Sequence, residues 1–327
     1  MDINWSYKNK SRVFDTKENG GVPYLSFKAL DDTGLAVNGF STRMGGASRG
    51  KFSTMNFSYS RGDAAEDVLE NFTRMAAALG VERDRMVVSH QTHTVNLRRV
   101  TLEDAGKGVI RERDYRDIDG LITDVPGLTL VTFYADCVPL YLLDPVNRAI
   151  GLSHSGWRGT VKRMGQVMVD AMKEAFGTKP EDLIACVGPS ICRDCFEVGG
   201  EVVEEFREAF GPEHREALYC QGKGPESTSW ICGRPMKSFS ARQAYAGRIS
   251  ISPTSAPCAT AITSFHTGKW ERSGETWQRF CALSRVRFAK EKGRGAIWMY
   301  YWRSGLLYAV YRLLWRTTDR RSISTFG

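Results

Sequence analysis

Between about residues 26 and 226 the chain alternates between two hydrophobic periods, which predicts interleaved strands and helices. "GLAVNGFSTR" reads as a strand running into a Gly-rich loop. "AAEDVLENFTRMAAALG" has the 3.6-residue period of an amphipathic helix that stops at Gly80. "RMVVSHQTHTVNLRRV" is β-like. "GLTLVTFYADCVPLYLLD" reads as a buried strand, a break and a second strand. "DPVN" is turn chemistry, and "RAIGLSHSG" is the returning strand. A helix follows with Val161, Met164, Val167, Met168, Ala171, Met172 and Ala175 on one face. "EDLIACVGPSI" is a further strand and "GEVVEEFREAF" a further helix. The pattern predicts an α+β fold in a single domain: mixed β-sheets packed with helices in a layered sandwich, preceded by an N-terminal extension over 1–25.

After residue 226 the pattern is lost. Residues 227–327 carry 17 basic and 4 acidic residues, a net of +13, against −5 for residues 1–226. "GAIWMYYWRSGLLYAVYRLLW" is apolar but holds Arg303 and Arg312, which argues against a membrane span. The genetic code offers a simpler account. If each codon is rebuilt from the third base of one residue and the first two of the next, some junctions have a single solution. Trp230–Ile231 must then encode Asp, Met236–Lys237 Glu, Trp270–Glu271 Gly, Trp277–Gln278 Ala and Phe280–Cys281 Leu. The shifted frame admits an amphipathic helix, a strand and a Cys/His-bearing segment. Residues 227–327 therefore read as an out-of-frame tail with no native fold, produced by a change of reading frame just before Ser227.

Composition narrows the class. The chain has 327 residues and is 42% hydrophobic and 25% charged, ordinary for a soluble globular protein. No secretory signal is visible at the N-terminus, so a cytoplasmic location is expected. The eight cysteines have no regular disulfide spacing. The net charge of +8 resides in the tail, which removes the case for a nucleic-acid partner, and no membrane partner is expected.

Chemistry concentrates in two segments. Cys137 ends one apolar run and His154 another, where side chains can face a pocket. "SHQTH" offers a third metal ligand, His90 or His93. Zinc takes imidazole nitrogen and thiolate sulfur, and a catalytic zinc keeps one position open. "HSGWRGT" places Arg158 at the start of a helix, suited to an anion such as phosphate. "STRMGGAS" adds Arg43 beside a flexible Gly45–Gly46 turn. Asp119, in "DIDGLIT", is a candidate general acid or base or a structural turn residue. A cysteine hydrolase, with Cys137 as nucleophile and His154 as base and acting on cell-wall peptide or a related amide, is the alternative.

"FSTRMGG", "NFS…GD", "QTH", "DGLIT", "ADCVPL", "HSGWRGT" and "VGPSICRDCFEVG", in this order, resemble the laccase-domain family. Its members are described as multifunctional purine nucleoside phosphorylases, and its bacterial branch includes peptidoglycan-editing factors. The resemblance implies a catalytic domain over 26–226, with His93, Cys137 and His154 as the metal ligands and His90 as structural. It implies zinc, or copper, as the metal. A multicopper oxidase needs many imidazoles, and the chain has five histidines. It further implies purine nucleosides and inorganic phosphate as substrates, with phosphorolysis of adenosine, inosine, guanosine and methylthioadenosine and deamination of adenosine. Zinc would serve deamination by activating water, lowering its pKa toward ~7. Arg43 and Arg158 would hold phosphate or developing charge. Losing the family's C-terminal strand and helix should cost more than the roughly 5–15 kcal/mol of net stability a domain has, so the chain as given is expected to fold poorly or be inactive.

Overall fold

The computed structural model describes residues 13–190 and 196–212, and the backbone of five short strands beyond them. The strands are β1 (Phe14–Asn19), β2 (Val22–Phe27), β3 (Ala36–Ser41), β4 (Met86–Val88), β5 (Leu97–Arg99), β6 (Gly120–Thr123), β7 (Thr129–Tyr134), β8 (Val138–Asp144), β9 (Ala149–Ser155), β10 (Ile184–Val187), β11 (Glu197–Val198), β12 (Tyr219–Gln221), β13 (Ser229–Ile231), β14 (Phe280–Val286), β15 (Ile297–Tyr300) and β16 (Tyr311–Leu314). The helices are α1 (Lys28–Asp31), α2 (Ala65–Leu79), α3 (Trp157–Val161), α4 (Met164–Phe176) and α5 (Gly200–Phe210).

Two large sheets face each other with a helix on each outer side, as the layered-sandwich expectation requires. One sheet runs β1-β2-β3-β15-β14-β7-β4, and the other β16-β10-β8-β9-β6-β5. The strand period of two sorts side chains between layers. From β9, Ile150 and Leu152 point into the core between the sheets, with Leu130 and Tyr134 of β7 and Tyr141 and Leu143 of β8. Val138, Leu140 and Leu142 of β8 point the other way, onto Met164, Met168 and Met172 of α4. Across the molecule, Val68, Phe72 and Met75 of α2 cover Met86, Val88 and Val131. His154 continues the inward series of Ile150 and Leu152 to the end of β9, so its imidazole arrives at the edge of the central core.

Three local expectations change. Residues 14–25, assigned to an N-terminal extension, instead belong to the β1–β2 hairpin of residues 14–27, with Asn19 paired to Val22 around Gly20 and Gly21 at φ 59° and 76°. Two glycines with positive φ make the turn that matches strand twist. The helix expected to start near Val161 is two helices, because Arg163 takes φ 63° and separates α3 from α4. The Gly45–Gly46 turn is close-packed. A Cβ on Gly45 would lie 2.4 Å from the Gly21 carbonyl, and one on Gly46 would lie 2.1 Å from that of Thr54.

Most of 227–327, and with it most of the aromatic segment around Arg303 and Arg312, lies outside the described residues. Of that stretch, β14 pairs with β7 and also with β3, and β16 pairs with β10. Among the described residues no helix is long and apolar enough to cross a membrane.

Candidate metal centre

Three chain segments meet at the end of the core. β4 hands over to a loop that carries His93, the turn between β7 and β8 carries Cys137, and the end of β9 carries His154. The candidate ligand atoms of the three all lie within 4.8 Å of one another, and this is the one such group of His, Cys, Asp and Glu among the described residues. Cys137 Sγ is 4.0 Å from His93 Nδ1. The two imidazoles meet edge to face at 4.8 Å between centroids, and the Tyr134 ring lies 5.4 Å from that of His154. His93 is exposed, Cys137 half-buried and His154 buried. The cluster is therefore open on one side.

Asp119 organises this arrangement from behind. It is fully buried, and its Oδ1 lies 2.8 Å from His154 Nδ1. The backbone N–H groups of Thr92 and Thr94 donate to its Oδ2 and that of His93 to its Oδ1, at 2.9–3.0 Å, and the Thr94 hydroxyl donates to Oδ2. Fixing Nδ1 of His154 turns Nε2 toward the cluster, which is how a carboxylate behind a metal-binding histidine sets its tautomer. The same carboxylate holds His93 at φ 65°, a left-handed conformation that costs a non-glycine residue free energy and is retained where function needs it. His90 is turned away, and its Nδ1 accepts the N–H of Asp117. Of the two histidines in "SHQTH", geometry brings His93 into the cluster.

Electrostatics follow from these contacts. Burial pushes the Asp119 carboxyl up, but hydrogen bonds from His154 and from the Thr92 and Thr94 amides bring it down to about 2. Burial likewise raises the Cys137 thiol, and the adjacent His154 and His93 outweigh it, bringing it to about 6. Burial lowers His154, while Cys137 and Asp119 raise it to about 9. The Cys137 thiol and the His154 imidazole thus each favour the other's charged form.

The donor set suits zinc. Two nitrogens and one sulfur around an open side match a three-ligand catalytic site. Tetrahedral zinc needs ligand separations of about 3.3–3.6 Å, within about 1.5 Å of those found. A second cluster, as multicopper chemistry requires, is absent among the described residues. Gly156 keeps the centre clear. A Cβ there would lie 2.7 Å from His93 Nδ1 and 3.0 Å from Cys137 Sγ. Nothing local in "HSGWRGT" shows which loop Gly156 will face, so its role is not legible from the sequence.

The two arginines have contacts of their own. Arg43 directs Nε to the Ser53 carbonyl at 2.5 Å and Nη2 to that of Lys51 at 3.5 Å. Its loop is fixed by Asn71, which accepts the Ala47 N–H and donates to Ser48 and Asn56. Arg158 is exposed in the first turn of α3, with its guanidinium 4.2 Å from the Trp157 ring centroid.

The described residues thus define a four-layer α+β sandwich with one open His–Cys–His cluster that could hold a metal ion. The family described as multi-copper polyphenol oxidoreductase laccase matches residues 37–230, and the chain belongs to it. Purine nucleoside phosphorylase YlmD of Bacillus subtilis is 35% identical over 175 residues, 52% of this chain and 62% of that protein. Adenosine deaminase RL5, from an unknown prokaryotic organism, is 38% identical over 178 residues, 53% of this chain and 66% of that one. The matched region thus spans less than two thirds of either relative. The crystal structure of YlmD from Geobacillus stearothermophilus superposes with a TM-score of 0.69 at 28% identity, covering 84% of this chain and 99% of that chain.

Proposed function

We propose that the chain is a zinc-dependent purine nucleoside phosphorylase that also deaminates adenosine and phosphorolyses methylthioadenosine. The observation that carries this reading is the open cluster of His93, Cys137 and His154 with Asp119 behind it. The names of the relatives, purine nucleoside phosphorylase and adenosine deaminase, support the two reaction types. Bound zinc would supply Lewis-acid activation of water for attack on the purine ring. Asp119 has its oxygens taken up by the His93 loop and His154, which favours an orienting role over proton exchange with substrate. In phosphorolysis an oxygen of inorganic phosphate bonds to the anomeric carbon as the glycosidic C–N bond breaks, giving ribose 1-phosphate and free base. Arg158 is the exposed cation nearest the cluster in sequence, and with Arg43 it is assigned to phosphate. Copper is the alternative metal.

The test is metal analysis of the purified protein, together with phosphate-dependent release of hypoxanthine from inosine. One zinc per chain, and loss of both zinc and turnover in Cys137→Ala, are expected. Cys137, His154 and Asp119 also have the order of a cysteine-hydrolase triad. A second imidazole against the thiol favours the metal. Zinc-free protein that is inactivated by alkylation of Cys137 would favour the hydrolase.

Residues 227–327 are assigned to an out-of-frame tail, with the catalytic domain ending near 226. The five single-solution codon junctions support this, as does a family match that stops at residue 230. Sequencing the gene across the codons for Gln221 to Trp230 decides it. A confirmed reading frame there would refute the assignment.

A further inference from the structure

The loop that delivers His93 leaves the large sheet at an unusual point. β4 and β7 run parallel, with Val88 opposite Val131, and the Ser89 N–H donates to the Val131 carbonyl at 2.9 Å. In an evenly spaced parallel ladder, the next bond would run from the Phe133 N–H to the Ser89 carbonyl. It does not form. Arg113 Nη1 donates to the Ser89 carbonyl instead, at 2.5 Å. The Phe133 N–H donates to Gln91 Oε1 at 2.6 Å, and Gln91 Nε2 donates back to the Phe133 carbonyl. The Phe133 N–H can only donate and its carbonyl only accept, which fixes which end of the amide faces which group, and the Ser89 hydroxyl also donates to Gln91 Oε1, at 2.8 Å. A primary amide carries one acceptor and one donor side by side, as a strand residue does, so the ladder continues through a side chain while the backbone turns away.

Gln91 lies two residues before His93, and Phe133 lies four before Cys137. We infer that Gln91 is a positioning residue: its amide takes the place of a strand residue beside Phe133 and thereby sets the spacing between His93 and Cys137. The inference rests on the metal-site reading, because the spacing matters only if both side chains bind one ion. Supporting residues around metal ligands are typically worth about 10–100-fold in affinity.

The experiment compares wild type, Gln91→Ala, Gln91→Glu and Val68→Ala, the last a cavity variant in the α2 core. Three readouts are taken: zinc affinity by chelator competition, the visible spectrum of the cobalt-substituted protein, and hydrogen exchange of the Phe133 amide. Gln91→Ala is expected to weaken zinc about 10–100-fold, alter the cobalt spectrum and speed Phe133 exchange at least about tenfold. Gln91→Glu keeps the acceptor for the Phe133 N–H but sets an oxygen against the Phe133 carbonyl, so it should not restore affinity. Val68→Ala should lose stability and keep zinc affinity within about threefold. Zinc affinity in Gln91→Ala equal to wild type, or an equal loss in Val68→Ala, overturns the inference. If wild type binds no zinc, the metal reading fails by itself. The clamp is then judged on Phe133 exchange, where no change in Gln91→Ala overturns it and acceleration sustains it.

Discussion

Gly156→Ala separates metal binding from folding more cleanly than removal of a ligand would. Gly156 has φ −71° and ψ −178°, extended backbone open to alanine, so the substitution stores no backbone strain. Losing glycine's freedom in the unfolded chain favours the variant by about 0.4–1 kcal/mol. Loss of a preferred residue at the α3 N-cap offsets this by a similar amount. Net stability should therefore stay within about 1 kcal/mol. The metal centre should not be spared. The new Cβ would lie 2.7 Å from His93 Nδ1 and 3.0 Å from Cys137 Sγ, so both donors must retreat by several tenths of an ångström. Metal–ligand distances tolerate about 0.2 Å. We expect zinc affinity to fall about 100-fold, which is about 2.8 kcal/mol. Urea denaturation of the metal-free protein reads the first quantity and zinc competition with a chelator the second. A Gly156→Ala protein that binds zinc within threefold of wild type would refute the geometry. So would one that loses several kcal/mol of apo stability.

Other consequences follow from the same contacts. Asp119→Asn puts an amide nitrogen among donors that need an acceptor, and should cost about 2–3 kcal/mol of stability and about 10–100-fold in zinc affinity. Denaturation and metal competition report the two separately, and an unchanged zinc affinity would remove Asp119 from the site. Gly46→Ala drives a Cβ to 2.1 Å from the Thr54 carbonyl and should cost about 3 kcal/mol, measured by urea denaturation, whereas a flexible turn would lose almost nothing. Asp104 is buried, which raises its carboxyl, yet bonds from Lys107, the Thr101 N–H and Arg98 bring it below its ordinary value. A folded-state pKa below the unfolded one of about 3.9 gives stability that is present above that pH and lost as pH falls through the folded value. The urea midpoint of Asp104→Asn should thus fall less steeply than that of wild type below about pH 4, and parallel slopes would contradict the pairing.

The parts legible in the sequence are those set by local period. The apolar faces of α2 and α4 and the paired runs of β7, β8 and β9 reappear as the layers of the sandwich. Gly80 stops α2 with φ 68°. Of the site, Cys137 and His154 were legible because each closes an apolar run, Cys137 in the turn between β7 and β8 and His154 near the end of β9. His93 required the family resemblance, since nothing in "SHQTH" distinguishes two histidines three positions apart until the loop turns one of them away. What stayed hidden depends on contacts distant in sequence: Asp119 beneath His154, Gly156 against His93, and the Gln91 amide against Phe133. The β1–β2 hairpin was missed because its first strand, "FDTKEN", has a single strongly buried residue, Phe14, and is defined by pairing with "VPYLSF".

The site and the tail also separate physically. Every bond described at the metal centre runs between residues 88 and 160, inside the region the family shares. The tail enters the structure on the other edge of β7, where β14 pairs with Tyr134 and Phe133. If residues 227–327 are out of frame, as proposed, they would set foreign side chains beside the strand that carries the clamp and leave the ligands and their carboxylate untouched. Its damage should fall first on sheet stability and on whatever rim the native segment contributed. Metal binding can survive a lesion that abolishes turnover. For this chain, zinc without phosphorolysis would locate the fault after residue 226, whereas absence of zinc from a folded protein would locate it in the reading of the centre itself.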